Sequence, residues 1–182
     1  MRVITGIAKG MRLESLEGME VRPTTEKTKE AIFSAIHFEI EGRRVLDLFA
    51  GSGQLGIEAL SRGAEKCVFT DASQDSINVI KRNVHKTGFD KQSVVCKTDY
   101  AMFLKGTKET FDIAFIDPPY AAGIAADALK LTSQVMSEYG IIIVEHPADI
   151  ELPDETEGFT VFRRYKYGKL VNVTIYKTPE ED

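Results

Sequence analysis

Residues 45–56, VLDLFAGSGQLG, decide the fold of this chain. The apolar run VLDLFA predicts a buried strand, and the helix-like segment QLGIEALSR begins at Gln54. Between them, Gly51, Gly53 and Gly56 satisfy the pattern G-x-G-x-x-G. A strand that passes through such a loop into a helix binds a nucleotide-like ligand at the edge of an α/β sheet. The stretch therefore predicts the first strand and the ligand loop of a Rossmann-like sheet.

The sequence on either side of this stretch supports an α/β fold. Apolar runs such as IAFI and IIIV do not alternate with polar residues, as is typical of parallel strands buried on both faces. The predicted parallel strands are 44–50, 66–71, 93–99, 111–117 and 140–146. Helix-like segments lie between them, at 54–62, 74–87, 100–105 and 124–138. Residues 159–167 and 170–177 are joined by a turn at Gly168, which predicts an antiparallel hairpin. We therefore predict a doubly wound sheet that is mostly parallel, with an antiparallel C-terminal hairpin.

The N-terminal part of the chain has a different pattern. Residues 1–22 are short extended pieces interrupted by glycines, which predict a small β-hairpin extension. Residues 23–182 are predicted to form one globular unit, which begins with a helix after Thr24 and Thr25.

Length and charge exclude several classes of protein. The chain has 182 residues and a net charge of −5, which argues against a general nucleic-acid coat protein. No apolar run approaches the roughly 18 residues of a membrane span, and no signal peptide is recognised. We therefore expect a cytoplasmic protein without a membrane segment, and a monomer, because no helix carries a dimerisation stripe. The histidines have no metal-ligand spacing, so we expect no metal.

Four aspartates end successive predicted strands: Asp47, Asp71, Asp99 and Asp117. The carboxyl ends of parallel strands meet at the edge where such sheets bind ligands. An acid about 20 residues beyond the first glycine suits ribose hydroxyls, and Asp71 occupies that place. Asp47 would repel the pyrophosphate of NAD but would favour the ammonium and sulfonium groups of S-adenosylmethionine. Asp99 can accept a hydrogen bond from the exocyclic amine of adenine.

The strand that contains Asp117 ends in FIDPPY, residues 115–120. Pro118 and Pro119 have no N–H and end the hydrogen-bond ladder, while their carbonyls remain as acceptors. Proline also restricts the residue before it, which stiffens Asp117. The segment therefore predicts a rigid turn that presents a carboxylate, a carbonyl and the ring of Tyr120.

Asp-Pro-Pro-Tyr in this position resembles the motif of amino-directed methyltransferases. Seven segments together resemble the RsmD-type methyltransferases, which modify guanine N2 in 16S ribosomal RNA: RVITGIAKGMRL, RPTTEKTKEAIFSAI, VLDLFAGSGQLGIEALSRGA, IKRN, FIDPPY, GIIIVE and YKYGKLVNVTIY. The resemblance covers nearly the whole chain. It departs at Gln54, where a small residue is commoner, and at Asp71, where glutamate is more usual.

The resemblance implies a class I methyltransferase domain that uses S-adenosyl-L-methionine. The cofactor would contact Asp47, Phe49, Ala50, Gly51, Ser52, Gly53, Gly56, Asp71, Asp99 and Thr24. The catalytic residues would be Asp117, Pro118, Pro119 and Tyr120. Arg2, Lys9, Arg12 and Arg22 would bind phosphates of the substrate, either 16S ribosomal RNA or a small-subunit assembly particle.

The residues themselves leave several functions open. Adenine N6, cytosine N4 and guanine N2 are all planar amines, so FIDPPY does not distinguish among them. Another RNA, or DNA, is an alternative substrate, although the chain leaves little room for a target-recognition domain. A cofactor-binding assembly factor without turnover is disfavoured by the intact DPPY. An NAD-linked oxidoreductase is disfavoured by Asp47 and by the same motif.

Overall fold

The structure is a computed structural model that describes residues 1–16, 25–121 and 123–179. Two predicted site residues, Arg22 and Thr24, lie outside the described residues. So does the end of the predicted N-terminal hairpin. All the helices, strands and contacts given for the structure lie within these three ranges.

One eight-stranded sheet forms the centre of the molecule, in the order β3-β2-β1-β4-β5-β8-β7-β6. Strands β1 to β5 are parallel, and β8, β7 and β6 are antiparallel to their neighbours. The strands are β1 (Arg44–Asp47), β2 (Lys66–Asp71), β3 (Ser93–Lys97), β4 (Phe111–Ile116), β5 (Met136–Pro147), β6 (Glu155–Thr156), β7 (Phe159–Tyr167) and β8 (Val171–Lys177). This arrangement confirms the predicted fold class.

Helices cover both faces of the sheet. They are α1 (Thr25–Ala35), α2 (Gln54–Ser61), α3 (Gln74–Thr87), α4 (Tyr100–Gly106) and α5 (Ile124–Ser133). One core cluster contains buried residues of α1, α2 and α3, and a second contains buried residues of α4 and α5. We call these the first and the second face. None of the described helices is long and apolar enough to span a membrane.

Several predicted boundaries were wrong. The strands predicted over 44–50 and 93–99 end at Asp47 and Lys97, so Asp99 lies beyond β3 and caps α4. The helix predicted over 124–138 ends at Ser133, because β5 already begins at Met136. Met136 pairs with Phe111 of β4, and the register then shifts before Ile141 pairs with Ile113. This irregularity makes β5 longer than the predicted strand 140–146, because tertiary pairing determines the conformation of residues 136–139.

The N-terminal segment, residues 1–16, packs on the first face. An antiparallel bridge joins Arg2 to Arg12, as expected for the start of a hairpin. The carboxylate of Glu58 on α2, which is fully buried, accepts hydrogen bonds from the backbone N–H groups of Ile4 and Thr5, at 2.8 and 3.0 Å.

Two cations neutralise the Glu58 carboxylate. Lys29 of α1 is itself buried and places Nζ 3.6 Å from Glu58 Oε2. Arg62 donates from Nε to Oε1 at 2.9 Å. Burial lowers the pKa of Lys29, and the charge of Glu58 opposes that effect. Glu58 therefore joins α1, α2 and the N-terminal segment through one buried charge cluster.

Candidate active site

The glycine loop makes a tight turn between β1 and α2. Gly53 donates to the carbonyl of Ala50 at 2.7 Å, and Gly51 and Gly53 have positive φ angles of 57° and 81°. Gly56 is required for a different reason: a Cβ atom there would lie 2.6 Å from Cys67 Sγ and would also overlap the ring of Phe69. The third glycine therefore allows α2 to pack closely against β2.

Asp47 lies beneath this loop, 2% exposed. Its Oδ2 accepts a hydrogen bond from the N–H of Gly56 at 2.9 Å. Burial raises the pKa of Asp47 to about 7, the Gly56 hydrogen bond opposes the rise, and the charges of Asp117 and Asp71 add to it. Asp47 therefore already accepts a hydrogen bond from an N–H group in the first turn of α2, the kind of group that binds a pyrophosphate. Carboxyl groups at this place fit a cationic ligand such as S-adenosylmethionine and do not fit NAD.

The raised pKa of Asp47 predicts a pH dependence of stability. Below the ordinary pKa of 3.8 the carboxyl is protonated in both the folded and the unfolded chain. Between 3.8 and about 7 only the folded protein keeps the proton, so stability is lost as the pH rises through this window. Relative to Asp47→Asn, the wild type should lose about 1.4 kcal/mol of unfolding free energy per pH unit, or roughly 4 kcal/mol in total. Urea unfolding of both proteins without cofactor, from pH 4 to 8, measures the difference, and a constant difference would contradict the prediction.

Asp71 and Asp99 hold backbone groups at the ends of β2 and β3. Asp71 Oδ2 accepts from Gly51 N at 3.0 Å, and Oδ1 accepts from Ser73 N at 2.9 Å. Asp71 is thus fixed beside the glycine loop, with further lone pairs for ribose hydroxyls. Asp99 caps α4 by accepting from Ala101 N and Met102 N through Oδ1. Its interaction with adenine stays a prediction.

Two aromatic rings lie beside this edge of the sheet. The rings of Phe49 and Tyr100 are 5.2 Å apart, and the Tyr100 hydroxyl donates to Asp127 at 2.8 Å. Burial, and to a lesser extent this hydrogen bond, raises the pKa of Tyr100 to about 12. Phe49 is thereby held where the resemblance places a cofactor contact.

The segment Asp117–Tyr120 follows β4 directly, and its last three residues line a cleft of about 350 Å³. Pro147 at the end of β5, and Asp149 and Ile150 after it, also line this cleft. Pro118 is buried, whereas Tyr120 is 45% exposed. The Pro119 carbonyl accepts from Ala121 N at 2.8 Å, which closes the turn. The structure thus places DPPY, Asp47 and the glycine loop at the same edge of the sheet.

Asn83, which the sequence analysis did not assign, links the N-terminal segment to the glycine loop. It is fully buried on α3, and its Nδ2 donates to the carbonyls of Ser52 and Glu14 at 2.9 and 3.0 Å. Its Oδ1 accepts from Glu14 N at 2.8 Å. The segment IKRN contains this residue, but an asparagine on a helix face gives no signal of such contacts.

The predicted phosphate-binding residues Arg2, Lys9 and Arg12 are exposed on the N-terminal segment. Arg2 donates from Nε to Glu26 Oε1 at 2.8 Å, so this cation is ion-paired within the chain. Their role with RNA stays a prediction, as do the roles of Arg22 and Thr24.

His146 lies after the cluster of apolar residues in β5, near the ligand edge. Its Nδ1 lies 3.1 Å from the Pro147 carbonyl and its Nε2 lies 2.9 Å from Thr174 Oγ1. Burial lowers the pKa of His146, in keeping with a neutral ring that donates to the carbonyl and accepts from the hydroxyl. These contacts give it a structural role.

Comparison with known proteins identifies the family. A family described as "Conserved hypothetical protein 95" matches residues 1–177. The chain belongs to this family. Among curated proteins, a Bacillus subtilis protein named "Putative rRNA methyltransferase YlbH" is 42% identical over 97% of this chain and 98% of its own length.

Two further relatives support the predicted resemblance to RsmD-type methyltransferases. "Ribosomal RNA small subunit methyltransferase D" of Haemophilus influenzae is 31% identical over 91% of this chain and 93% of its own length. A solved structure titled "Putative methyltransferase yhhF from Escherichia coli" superimposes with a TM-score of 0.85, at 25% identity, over 99% of each chain. The resemblance to the RsmD-type family is confirmed, and the family members named here are described as methyltransferases.

Proposed function

We propose that this protein transfers a methyl group from S-adenosylmethionine to the exocyclic N2 of a guanine in small-subunit ribosomal RNA. The observation that carries the proposal is the position of Asp117–Tyr120. This amine-binding motif follows β4 at the edge where Asp47 and the glycine loop form an acidic ligand site. Family membership supplies the choice of guanine and of the small subunit, which the motif alone leaves open.

The loop residues Phe49 to Gly53, together with Asp47, Asp71 and Asp99, would hold the cofactor. When bound, S-adenosylmethionine supplies a methyl group whose C–S bond breaks, with the electron pair left on sulfur, as the new N–C bond forms. Asp71 is fixed by Gly51 and Ser73 for hydrogen bonds with a ribose. Asp47 lies beneath the loop with a pKa raised to about 7, and a cationic ligand there would favour its charged form, whereas an anionic ligand would oppose it.

Asp117 and Pro118 act on the amine. The lone pair of N2 in guanine is delocalised into the ring, so the free amine is a weak nucleophile. Hydrogen bonds from its two N–H groups to the Asp117 carboxylate and the Pro118 carbonyl favour a tetrahedral nitrogen whose lone pair points at the methyl group. After transfer, the nitrogen releases one proton, for which Asp117 is the acceptor. Most of the rate enhancement then comes from holding the two reactants in line.

The cleft next to DPPY receives the base. Its Tyr120 ring is exposed, so it can stack on an extruded guanine, a contact worth about 1–3 kcal/mol. A base inside a duplex does not reach such a cleft, so the target nucleotide is unpaired or flipped. Arg2, Lys9 and Arg12 on the N-terminal segment would contact phosphates and orient the RNA. The protein acts as a monomer in the cytoplasm, where the small subunit is assembled.

Transfer of labelled methyl groups tests this function. The purified protein is incubated with labelled S-adenosylmethionine and small-subunit particles that lack the modification, and the RNA is then digested to nucleosides. We expect the label in N2-methylguanosine. Label in adenosine or cytidine would assign another amine, and no label on particles, free ribosomal RNA or DNA would reject the enzymatic function.

A further inference from the structure

Strand β7 carries aromatic and basic side chains on the first face of the sheet. The register between β7 and β8 shifts between Val161 and Arg163, so Phe162 is an extra residue in the strand. The guanidinium of Arg163 lies 5.4 Å from the ring of Phe162 and 5.9 Å from that of Tyr165. The bulge therefore brings two consecutive residues together on one side of the strand.

Two tyrosines continue this row towards the carboxyl edge of the parallel strands. The rings of Tyr165 and Tyr167 are stacked, with centroids 6.2 Å apart and planes at 29°. Both are half-buried and pack against the core of the first face, which fixes their orientation. We call Phe162, Arg163, Tyr165 and Tyr167 the β7 stripe.

Basic side chains lie beside the stripe. Lys169 is exposed after Tyr167, and Lys177 Nζ lies 4.2 Å from the centroid of the Phe162 ring while it also pairs with Glu39. Arg163 forms no ion pair with any residue that the structure describes, although it is close enough to donate to the Tyr165 hydroxyl at 3.3 Å. Arg164 differs, because it points to the second face and binds Asp154 at 2.7 Å.

Along the strand direction the stripe begins level with the end of β4, while the cleft is also lined by Ala125 of α5, on the second face. Tyr165 of β7 pairs with Val173 of β8, which pairs with Glu145 of β5. In the row before it, Arg163 pairs with Ile175, which pairs with Ile143. Ile143 in turn pairs with Phe115, two residues before Asp117. Three strand spacings of about 4.8 Å separate β4 from β7, so Tyr165 lies about 14 Å across the sheet from the Asp117 row.

We propose that the β7 stripe binds a single-stranded segment of the RNA substrate next to the target nucleotide. Tyr165 and Tyr167 stack on bases, and Arg163 contacts a phosphate. Aromatic rings interleaved with cations form the surface that binds single-stranded nucleic acid without reading its sequence. The proposal rests on the proposed function, since it concerns how the same RNA is held beside the site.

Three variants of the full chain test the stripe. Arg163→Ala removes the phosphate contact, Tyr165→Leu removes the stacking ring but keeps apolar bulk, and Tyr165→Phe keeps the ring. The control is Lys130→Ala, an exposed cation of α5 on the second face. Binding of a fluorescent single-stranded RNA oligonucleotide is measured without cofactor over a range of salt concentrations, and methyl transfer is measured on small-subunit particles.

We expect Tyr165→Leu to weaken oligonucleotide binding by about 5-fold or more, and Tyr165→Phe and Lys130→Ala to bind like the wild type. Arg163→Ala should lower the slope of log affinity against log salt by about 0.7. KM for particles should rise with little change in kcat, and binding of S-adenosylhomocysteine should not change.

Three outcomes overturn the proposal. The first is that both Arg163→Ala and Tyr165→Leu bind RNA like the wild type. The second is that RNA binding, cofactor binding and melting temperature fall together, which would indicate a damaged fold. The third is that the variants are defective on particles but not on the oligonucleotide, which would indicate a protein contact. If RNA binding depends on the stripe but no methyl transfer occurs, the proposed function is rejected and the RNA-binding role of the stripe is kept. If methyl transfer is the same in the wild type and in all stripe variants, the RNA-binding role is rejected and the proposed function is kept.

Discussion

Asp117→Ala should lower kcat for methyl transfer by about 10² to 10⁴-fold, the range associated with loss of a positioned proton acceptor. The variant removes the carboxylate that accepts a hydrogen bond from the amine and leaves the glycine loop intact. Affinity for S-adenosylhomocysteine should change little, because Asp47 and Asp71 are held by their own contacts with Gly56 and Gly51. Single-turnover kinetics on small-subunit particles and calorimetry with S-adenosylhomocysteine measure the two effects separately.

Asp149→Ala is the matched control for Asp117→Ala. Asp149 is a carboxylate that lines the cleft of about 350 Å³ next to Pro118, Pro119 and Tyr120. If loss of negative charge at this edge were sufficient to lower the rate, both variants would be affected alike. Full activity of Asp117→Ala would show that the amine acceptor is another group. Since the charge of Asp117 raises the pKa of Asp47, its removal should also lower the pKa of Asp47.

Glu58→Ala should reduce the free energy of unfolding by about 3–5 kcal/mol, the usual effect of removing one partner of a buried ion pair. The substitution leaves Lys29 buried without its carboxylate and removes the acceptor of the Ile4 and Thr5 N–H groups. Equilibrium unfolding in urea measures the change. Because the N-terminal segment contacts the glycine loop through Asn83, the variant should also bind S-adenosylhomocysteine more weakly.

A double variant separates the charge effect from the lost packing. Glu58→Met with Lys29→Met removes the carboxylate and the more deeply buried of its two cations, and should be more stable than Glu58→Met alone, because Lys29 is no longer left buried without a partner. Glu65→Ala, an exposed carboxylate beyond the end of α2, should change stability by less than about 0.5 kcal/mol. A loss below about 1 kcal/mol in Glu58→Ala would contradict the role of this cluster.

The parts of the fold that sequence predicted well are those where local signals agree. Helix α3 has the predicted bounds, because its apolar spacing is regular and Gly88 ends it with a positive φ of 77°. The glycine loop and the position of Asp117 likewise follow from short motifs whose geometry is set by glycine and proline.

The rest depends on contacts between distant residues. The first residues of β5 were assigned to a helix because their pairing with Phe111 is not encoded locally. Simple alternation did not place Phe162 beside Arg163, since a bulge reverses the expected faces. Glu58 has the sequence of an ordinary helix carboxylate, and only the approach of Lys29 and the N-terminal segment buries it.

The strand order also has a consequence for biosynthesis. Strand β8 comes last in the chain, yet it lies between β5 and β7 and pairs with both. While the protein is being translated, the edge of β5 at Ile141–Val144 therefore has no permanent partner until residues 171–177 have left the ribosome. Unpaired apolar edges are sites of aggregation, so a nascent chain stalled before β8 is the form of this protein most in need of a chaperone.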